Sequence, residues 1–543
     1  MSPSGGTAAG GFRTVVAVVV AMSGLAAGGA LMERAAAAQE AESFDRAQLR
    51  RVTQIIEQRY VEPKSADDLY RMATDGLLGQ LGDPNSRLVE AGSSTDLDVT
   101  LTGNYAGLGI RVGQVGDWVT VMSVISGTPA EREGLLPGDR IVGVDGENVS
   151  GWDESRVIEQ LRGPVGESVD VRIARLGLLE PIDLTITREN VHVPPVLAYR
   201  LDDRIGVVQL TQFSREARDE VRVAIEDLRR RGADRIVLDL RGNPGGLLEE
   251  GVAVADLFLP RGRTIVSTSS RVEEQNHVFL SESEPAFGDL PMAVLIDGAS
   301  ASASEIVAGA LQDHDRALVI GAPSFGKGSM QTVYLLPGGH HLKLTTAAWY
   351  TPSGRSIQSN LADSETEPAL ADHDPVPADD AIAEVQPDTT DREVFHTAAG
   401  RPVYGGGGIY PDVLVRDSTS AAERHLGAEL QRRQLSIRQL AFRFAVRWTG
   451  ERPDLPPEFE ITPDMRTAFL ELLRDEGVDI DGSTYAELGG QIDGFLAVQL
   501  ARMEFGDLEA LRRDHAADAA FRTAVDRLGA ADSTKDLLGW TGD

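Results

Sequence analysis

Apolar positions set the pattern. Leu49, Val52, Ile55, Ile56 and Tyr60 recur at the spacing of one helix face, and residues 43–90 read as helices ending at the turn Gly82-Asp83-Pro84-Asn85. From about 100 to 190 the pattern changes to short strands and glycine turns. Residues 118–125 and 140–144 read as strands, 129–134 as a short helix with a glycine stop, and Asp145-Gly146 as a hairpin-type turn. Residues 153–161 follow as a helix and 168–174 as a strand. From about 195 to 350, apolar runs at 205–210, 235–240, 293–296 and 317–320 read as buried strands. They alternate with helical stretches at 221–231, 247–259 and 303–312. That alternation predicts an α/β layer architecture, and the fold class as a whole is α/β (mixed α+β) and multidomain. Helical spacing returns from 420 to 543, opening with Leu426, Leu430, Leu435, Ile437, Leu440 and Phe442.

Two stretches fall outside this pattern. Arg13 precedes an uncharged run, residues 14–32, followed by the small residues 35–38. A cation, an apolar segment and a small-residue patch are the layout of a secretory signal peptide. The run is also close to the roughly 20 residues that span a bilayer, so a single uncleaved anchor is the alternative, with a buried helix as the third reading. Both export readings place the bulk of the chain outside the cytoplasm, in the periplasm or cell envelope. Residues 361–397 are acidic, rich in Pro, Ala and Asp, and nearly free of aromatics; they read as a disordered surface insertion.

Composition removes several classes. At 543 residues the chain has room for three or four domains. It has 52 basic against 84 acidic residues, a net charge of −32, which argues against a nucleic-acid partner. It has no cysteine, so disulfides, thiolate metal sites and a cysteine nucleophile are excluded.

The candidate chemistry sits in two segments. The first is Asp297-Gly-Ala-Ser-Ala-Ser-Ala-Ser-Glu305, between a strand and a helix. Ser300, Ser302 and Ser304 could each be a nucleophile, since backbone N–H groups at a helix start can stabilise an oxyanion. The structural alternative is a capping box of Ser302 with Glu305. The second segment is Gly321-Ala-Pro-Ser-Phe-Gly326-Lys327-Gly328-Ser329-Met330-Gln331. It approaches a Walker A loop, but position 328 is Gly and the following residues read as a strand, so a nucleotide site is rejected. There is no G-x-S-x-G elbow and no H-E-x-x-H motif, and adjacent His340 and His341 would point to opposite faces of a strand. No metal or organic cofactor is implied. Asp313 and Asp315, flanking His314, read as polar surface.

Taken together, these segments closely resemble the carboxy-terminal processing peptidases, also called tail-specific proteases. The resemblance rests on residues 297–316 (DGASASASEIVAGALQDHDR) and 321–331, and extends to 239–246 (DLRGNPGG), 342–358 and Asp83-Pro84-Asn85-Ser86. Within it, residues 98–190 resemble a PDZ domain, most specifically through AEREGLLPGDRIVGVDGENV and through GLGI at 107–110. The resemblance implies a Ser–Lys dyad: Ser302 as nucleophile, Lys327 as base and Gln331 orienting the lysine. Backbone N–H groups of Ala303 and of Gly245 and Gly246 would form the oxyanion hole. A lysine base must lose its proton, and burial beside apolar groups such as Phe325 is the expected means. The PDZ-like domain would bind a substrate's C-terminal tail through Gly107, Leu108, Gly109 and Ile110.

The expected organisation is then a signal peptide or membrane anchor (1–42), an N-terminal helical region (43–97), a PDZ domain (98–190) and a peptidase core (191–360). An acidic insertion (361–400), the end of the core (401–418) and a helical extension (419–543) follow. The expected activity is serine endopeptidase cleavage of exported proteins near their C-termini. The expected partners are protein or peptide substrates. A catalytically silent PDZ scaffold in the cell envelope is the competing class, favoured only by loss of the serine or the lysine. The extension packs on its own core by default, with a homo-oligomer interface as the alternative.

Overall fold

A computed structural model of the chain describes residues 47–89, 102–359, 392–415, 420–452, 455–478, 480 and 482–539. The expected export segment and the body of the acidic insertion lie outside the described residues. Among the described residues no helix is long and apolar enough to cross a membrane. The described residues fall in two compact units, one of residues up to 89 together with 333–344, the other of residues 102–332 and those from 345 onward.

In the first unit residues 47–59 are helical and a second helix runs over Ala66–Gly79. Ser65 caps that helix, accepting from the Asp68 N–H at 3.1 Å. The predicted helix spacing is realised, yet Leu49, Val52, Ile55 and Tyr60 stay about half exposed. Arg87–Val89 is a short strand, antiparallel to residues 341–343.

The second unit is built on a six-stranded sheet. Its strands are β1 (Val196–Arg200), β2 (Ile205–Leu210), β3 (Arg235–Asp239), β4 (Met292–Ile296), β5 (Leu318–Gly321) and β6 (Val413–Leu414), in that spatial order. β1 is antiparallel to β2, and every other pair is parallel. Strands of a parallel sheet are buried on both faces, which is why they read as unbroken apolar runs. Alternate residues divide between two cores. Ile236, Leu238, Val294 and Val319 pack with helices α1 (Ala217–Arg230), α2 (Leu248–Asp256) and α3 (Ala303–Asp313). Val207, Val237, Leu295 and Ile320 pack on the other face with α4 (Ala519–Ala530) through Phe521, Ala524 and Leu528. The C-terminal extension thus supplies the second helical layer of the sheet. The buried Arg235 guanidinium donates to the Leu528 carbonyl at the last turn of α4, where a cation suits the helix dipole. The helices between 421 and 505 pack around a core of their own that includes Leu440, Phe444, Phe469, Leu473 and Leu496.

Residues 104–192 carry the PDZ-like elements. A sheet of Ile110–Val115, Trp118–Val124, Arg140–Val144, Ser168–Ala174 and Ile182–Thr187 packs with the helix Glu154–Leu161 through Val121, Ile141, Val157 and Ile173. Ile110–Val115 is an edge strand of that sheet. Asp145 and Gly146 both adopt positive φ, 47° and 80°, as the predicted hairpin turn requires.

Candidate active site

Three parallel strands deliver the candidate groups from their carboxyl ends, where α/β sheets place their sites. β3 runs into Arg241–Gly246, β4 into Asp297–Ala303, and β5 into the segment carrying Lys327. A strand over Ser329–Leu335 follows the lysine, so the rejection of a phosphate-binding loop agrees with the fold.

The three serines differ in what their hydroxyls do. Ser300 is fully buried and donates to the Leu240 carbonyl at 2.9 Å. Ser304 is also buried and donates to the Asn243 carbonyl at 2.9 Å. Ser302 is only half-buried, and its backbone sits at φ 56°, ψ −113°. A non-glycine residue rarely adopts that conformation, which costs on the order of 1–3 kcal/mol and recurs at functional sites. Ser302 is the N-cap of α3, so the N–H of Ala303 opens the helix beside it.

Glu305 does more than cap. Its carboxylate is fully buried and gathers four donors. Oε2 accepts from the Ser302 N–H at 2.7 Å and from the Lys327 N–H at 3.0 Å. Oε1 accepts from the Ser324 hydroxyl and the Gly326 N–H, both at 2.6 Å. One oxygen therefore ties the Ser302 backbone to the Lys327 backbone. Burial pushes the Glu305 carboxyl up to about 6, against the four donors that favour its charge.

Lys327 is half-buried. Beyond its N–H bond to Glu305, its carbonyl accepts from the buried Trp349 indole N–H at 3.1 Å. Phe325, expected to shield the lysine, is half exposed instead. The loop is held from below by the glycine run that follows the acidic insertion. A Cβ on Gly408 would fall 2.2 Å from the Ser324 carbonyl oxygen. Gln331 donates through Nε2 to Ser329 Oγ at 3.0 Å and Thr345 Oγ1 at 3.3 Å.

The glycine loop touches the serine directly. At φ 98°, a Cβ on Gly245 would lie 2.8 Å from Ser302 Cβ and 2.9 Å from the Ala303 nitrogen, so only glycine fits there. The Gly245 N–H donates to Asn243 Oδ1 at 2.8 Å, which removes it from the expected oxyanion set. Gly246 is bridged in parallel to Phe213. Asn243 is fully buried, and its carbonyl accepts from both the Ala301 N–H and the Ser304 hydroxyl.

Two further acids are buried and paired. Asp313, read as polar surface, is buried: it pairs with the buried Arg355 at 2.8 Å and accepts from the Thr351 hydroxyl at 2.6 Å. The rest of its helix buries with it, as a helix enclosed on all sides must. Asp239, at the end of β3, is buried between Arg241 and His515. Burial would raise its carboxyl, but Arg241 and His515 outweigh that and hold it well below the usual carboxylate range. His515 also bonds the Tyr199 hydroxyl at 2.8 Å and stacks on Phe521 at 4.3 Å. The extension thereby reaches the strand that carries the glycine loop.

Among the described residues one cluster, His192, Glu216 and Glu220, groups enough ligand types for a metal. Its imidazole faces Glu220 through Nε2 at 2.8 Å and Glu216 through Nδ1 at 3.9 Å. The Glu220 contact is a hydrogen bond, while Glu216 stands beyond hydrogen-bond distance of the ring.

In the PDZ-like domain the loop Gly107-Leu108-Gly109-Ile110 borders a largely apolar cavity of about 340 Å³. Leu108, Ile110, Ile158 and Leu161 line it, with Arg111 and Arg162.

Comparison with known proteins agrees with this layout. The sequence model of peptidase family S41 matches residues 204–367, and that of the PDZ domain matches residues 120–175. The chain is 42% identical over 322 residues to the carboxy-terminal-processing protease of Bartonella bacilliformis (strain ATCC 35685 / KC583 / Herrer 020/F12,63), covering 57% of this chain and 73% of that protein. It is 33% identical over 341 residues to the carboxy-terminal processing protease CtpA of Bacillus subtilis (strain 168), covering 62% and 72%. It is 36% identical over 311 residues to the carboxyl-terminal-processing protease of Synechocystis sp. (strain ATCC 27184 / PCC 6803 / Kazusa), covering 56% and 72%.

Proposed function

The chain belongs to peptidase family S41, with the carboxy-terminal processing proteases, and is a serine-type peptidase with a PDZ domain. From that premise we propose that it works through a Ser302–Lys327 dyad and cleaves exported proteins near their C-termini. The observation that carries the assignment is the contrast among the three serines. Ser300 and Ser304 spend their hydroxyls on backbone carbonyls in the core, while Ser302 sits strained and half-buried at a helix start.

Neutral Lys327 takes the Ser302 hydroxyl proton as Oγ attacks the scissile carbonyl. The tetrahedral oxyanion is held by the N–H groups of Ala303 and Gly246. The lysine ammonium then gives its proton to the leaving amine. In the second half Lys327 takes a proton from the water that attacks the acyl carbon, and returns it to Ser302 Oγ as the acyl group leaves as the acid. Gln331 Oε1 orients the lysine amine. The PDZ loop 107–110 receives the tail's carboxylate, and the edge strand Ile110–Val115 offers its open side to an added strand. The uncharged run at 14–32 carries the export reading.

The test is cleavage of an unfolded protein such as casein. Wild type and Ser304→Ala should cut, whereas Ser302→Ala and Lys327→Ala should not. Wild-type rates in Ser302→Ala would end the assignment.

A further inference from the structure

His192 closes the strand Glu189–His192, which pairs antiparallel with Asn104–Gly107 and sets Asn104 opposite His192. These two strands are the stem through which the chain enters and leaves the PDZ-like sheet. Against the stem stands the start of α1, in the peptidase core. Glu216 is the N-cap of α1 and Glu220 follows one turn later, so the two carboxylates share a helix face. One ligand atom from each of His192, Glu216 and Glu220 lies within 4.8 Å of the other two. Only Nε2 of His192 is hydrogen-bonded, to Glu220; Nδ1 is buried and has no hydrogen-bond partner. A second unused group borders the same place. Ser214 is 2% exposed, and its hydroxyl has no partner. A Cβ on Gly103, at the foot of the stem, would fall 3.0 Å from Ser214 Oγ and 3.9 Å from His192 Cε1.

We propose that His192, Glu216 and Glu220 bind one divalent transition-metal ion, zinc by preference, which staples the PDZ stem to the peptidase core. Imidazole and carboxylate are both zinc ligands, with bonds of about 2.0–2.2 Å. Tetrahedral bonds of that length set ligand atoms about 3.4 Å apart, so no pair here has to close by more than about 1.4 Å. The exposed Glu216 side chain can supply that movement. Two carboxylates and a neutral imidazole bring two negative charges, which a divalent ion cancels. The imidazole favours zinc over calcium or magnesium, which take oxygen ligands. The fourth position falls to water, and the Ser214 hydroxyl is free to bond it. All three ligands come from the stem and α1, none from the segments that carry Ser302 and Lys327, so the ion holds the two parts together and takes no part in cleavage. The inference is independent of the dyad.

The experiment uses the untagged full-length chain carrying Ser302→Ala, so that it cannot digest itself. The protein is stripped with a chelator and titrated with zinc chloride in a calorimeter. One zinc should bind per chain. Adding His192→Ala or Glu220→Gln should weaken it by at least about 10-fold, the least that even an outer partner costs a metal site. Glu216→Gln guards against misfolding, because its side chain is 58% exposed; it too should cost at least about 10-fold. The double variant His340→Ala/His341→Ala, which removes the adjacent histidine pair elsewhere in the chain, should bind zinc as the parent does. Zinc should slow hydrogen exchange of the backbone over 189–192 in the parent and not in Glu216→Gln. Absence of zinc binding, or equal affinity in the parent and in Glu216→Gln, overturns the site. So does calcium binding as tight as zinc, or loss of zinc in the His340→Ala/His341→Ala protein. If His192→Ala or Glu220→Gln melts early, Glu216→Gln alone decides. Zinc binding that leaves exchange over 189–192 unchanged overturns the staple.

Discussion

Replacing Glu305 by Gln tests how the two halves of the site are held together. The carboxylate accepts four bonds at 2.6–3.0 Å, two on each oxygen. Glutamine keeps one acceptor oxygen and turns the other position into a donor. If the new NH2 faces the Oε2 partners, the N–H groups of Ser302 and Lys327 both lose their acceptor. If it faces the Oε1 partners, the Ser324 hydroxyl can rotate to accept, but the Gly326 N–H cannot. One or two buried N–H groups are stranded, at about 1–3 kcal/mol each. The cheapest relief is for the lysine loop to drift away from Ser302. A displacement of roughly 1 Å costs about 100-fold in rate. The assay is peptide cleavage with kcat and KM resolved, together with melting temperature and tail-peptide affinity. The expected result is a fall of about 100-fold in kcat with tail affinity unchanged. A kcat within about threefold of wild type would refute the reasoning. Acid should act on the same group: protonation near 6 undoes the four-donor arrangement, so activity should fall as pH drops through about 6. Stability moves the other way. A carboxyl whose folded pKa is raised contributes stability that is complete below its unfolded value of 4.5 and is lost as pH rises through about 6, on the order of 2 kcal/mol. Loss of activity at pH 5.5 without loss of fold, followed by circular dichroism, is the expected pairing.

Gly245→Ala should reduce kcat by at least about 100-fold, because its Cβ would press on Ser302 Cβ and the Ala303 nitrogen at under 3 Å; cleavage at the wild-type rate would contradict that contact. His515→Ala should lower stability by about 3 kcal/mol, since it leaves buried Asp239 and Tyr199 without a shared partner. Chemical denaturation reads this directly, and an unchanged midpoint would show that the extension does not brace β3. Asp313→Asn should destabilise by a similar amount, about 3 kcal/mol, because Arg355 would stay buried without its countercharge; denaturation midpoints again decide.

The parallel strands were readable because they are buried on both faces: Ile236 and Leu238 look to one core, Val237 to the other, so apolar residues run without a break. The same fact required a second helical layer, yet nothing local in residues 519–530 announces that they provide it. Its evidence is a pairing across nearly the whole chain, Arg235 with the Leu528 carbonyl and His515 with Asp239. The serine segment was readable as chemistry but ambiguous as geometry. Ser300, Ser302 and Ser304 look alike in sequence, and only the partners of their hydroxyls tell them apart. Glu305 was visible as one half of a capping box, whereas its bonds to Ser324, Gly326 and Lys327 depend on where the next strand ends. Asp313 read as surface because its countercharge, Arg355, lies far along the chain. Of the four glycines at 405–408, Gly408 is required because it abuts the Ser324 carbonyl of the lysine loop.

The most direct measurement of the dyad is to trap the acyl-enzyme. A peptide ester mixed with the full-length protein, quenched in acid within milliseconds and digested, should yield one acylated peptide whose modified residue is Ser302. The Lys327→Ala protein should yield none. An acyl group on another residue, or turnover that continues with Ser302 unmodified, would contradict the account.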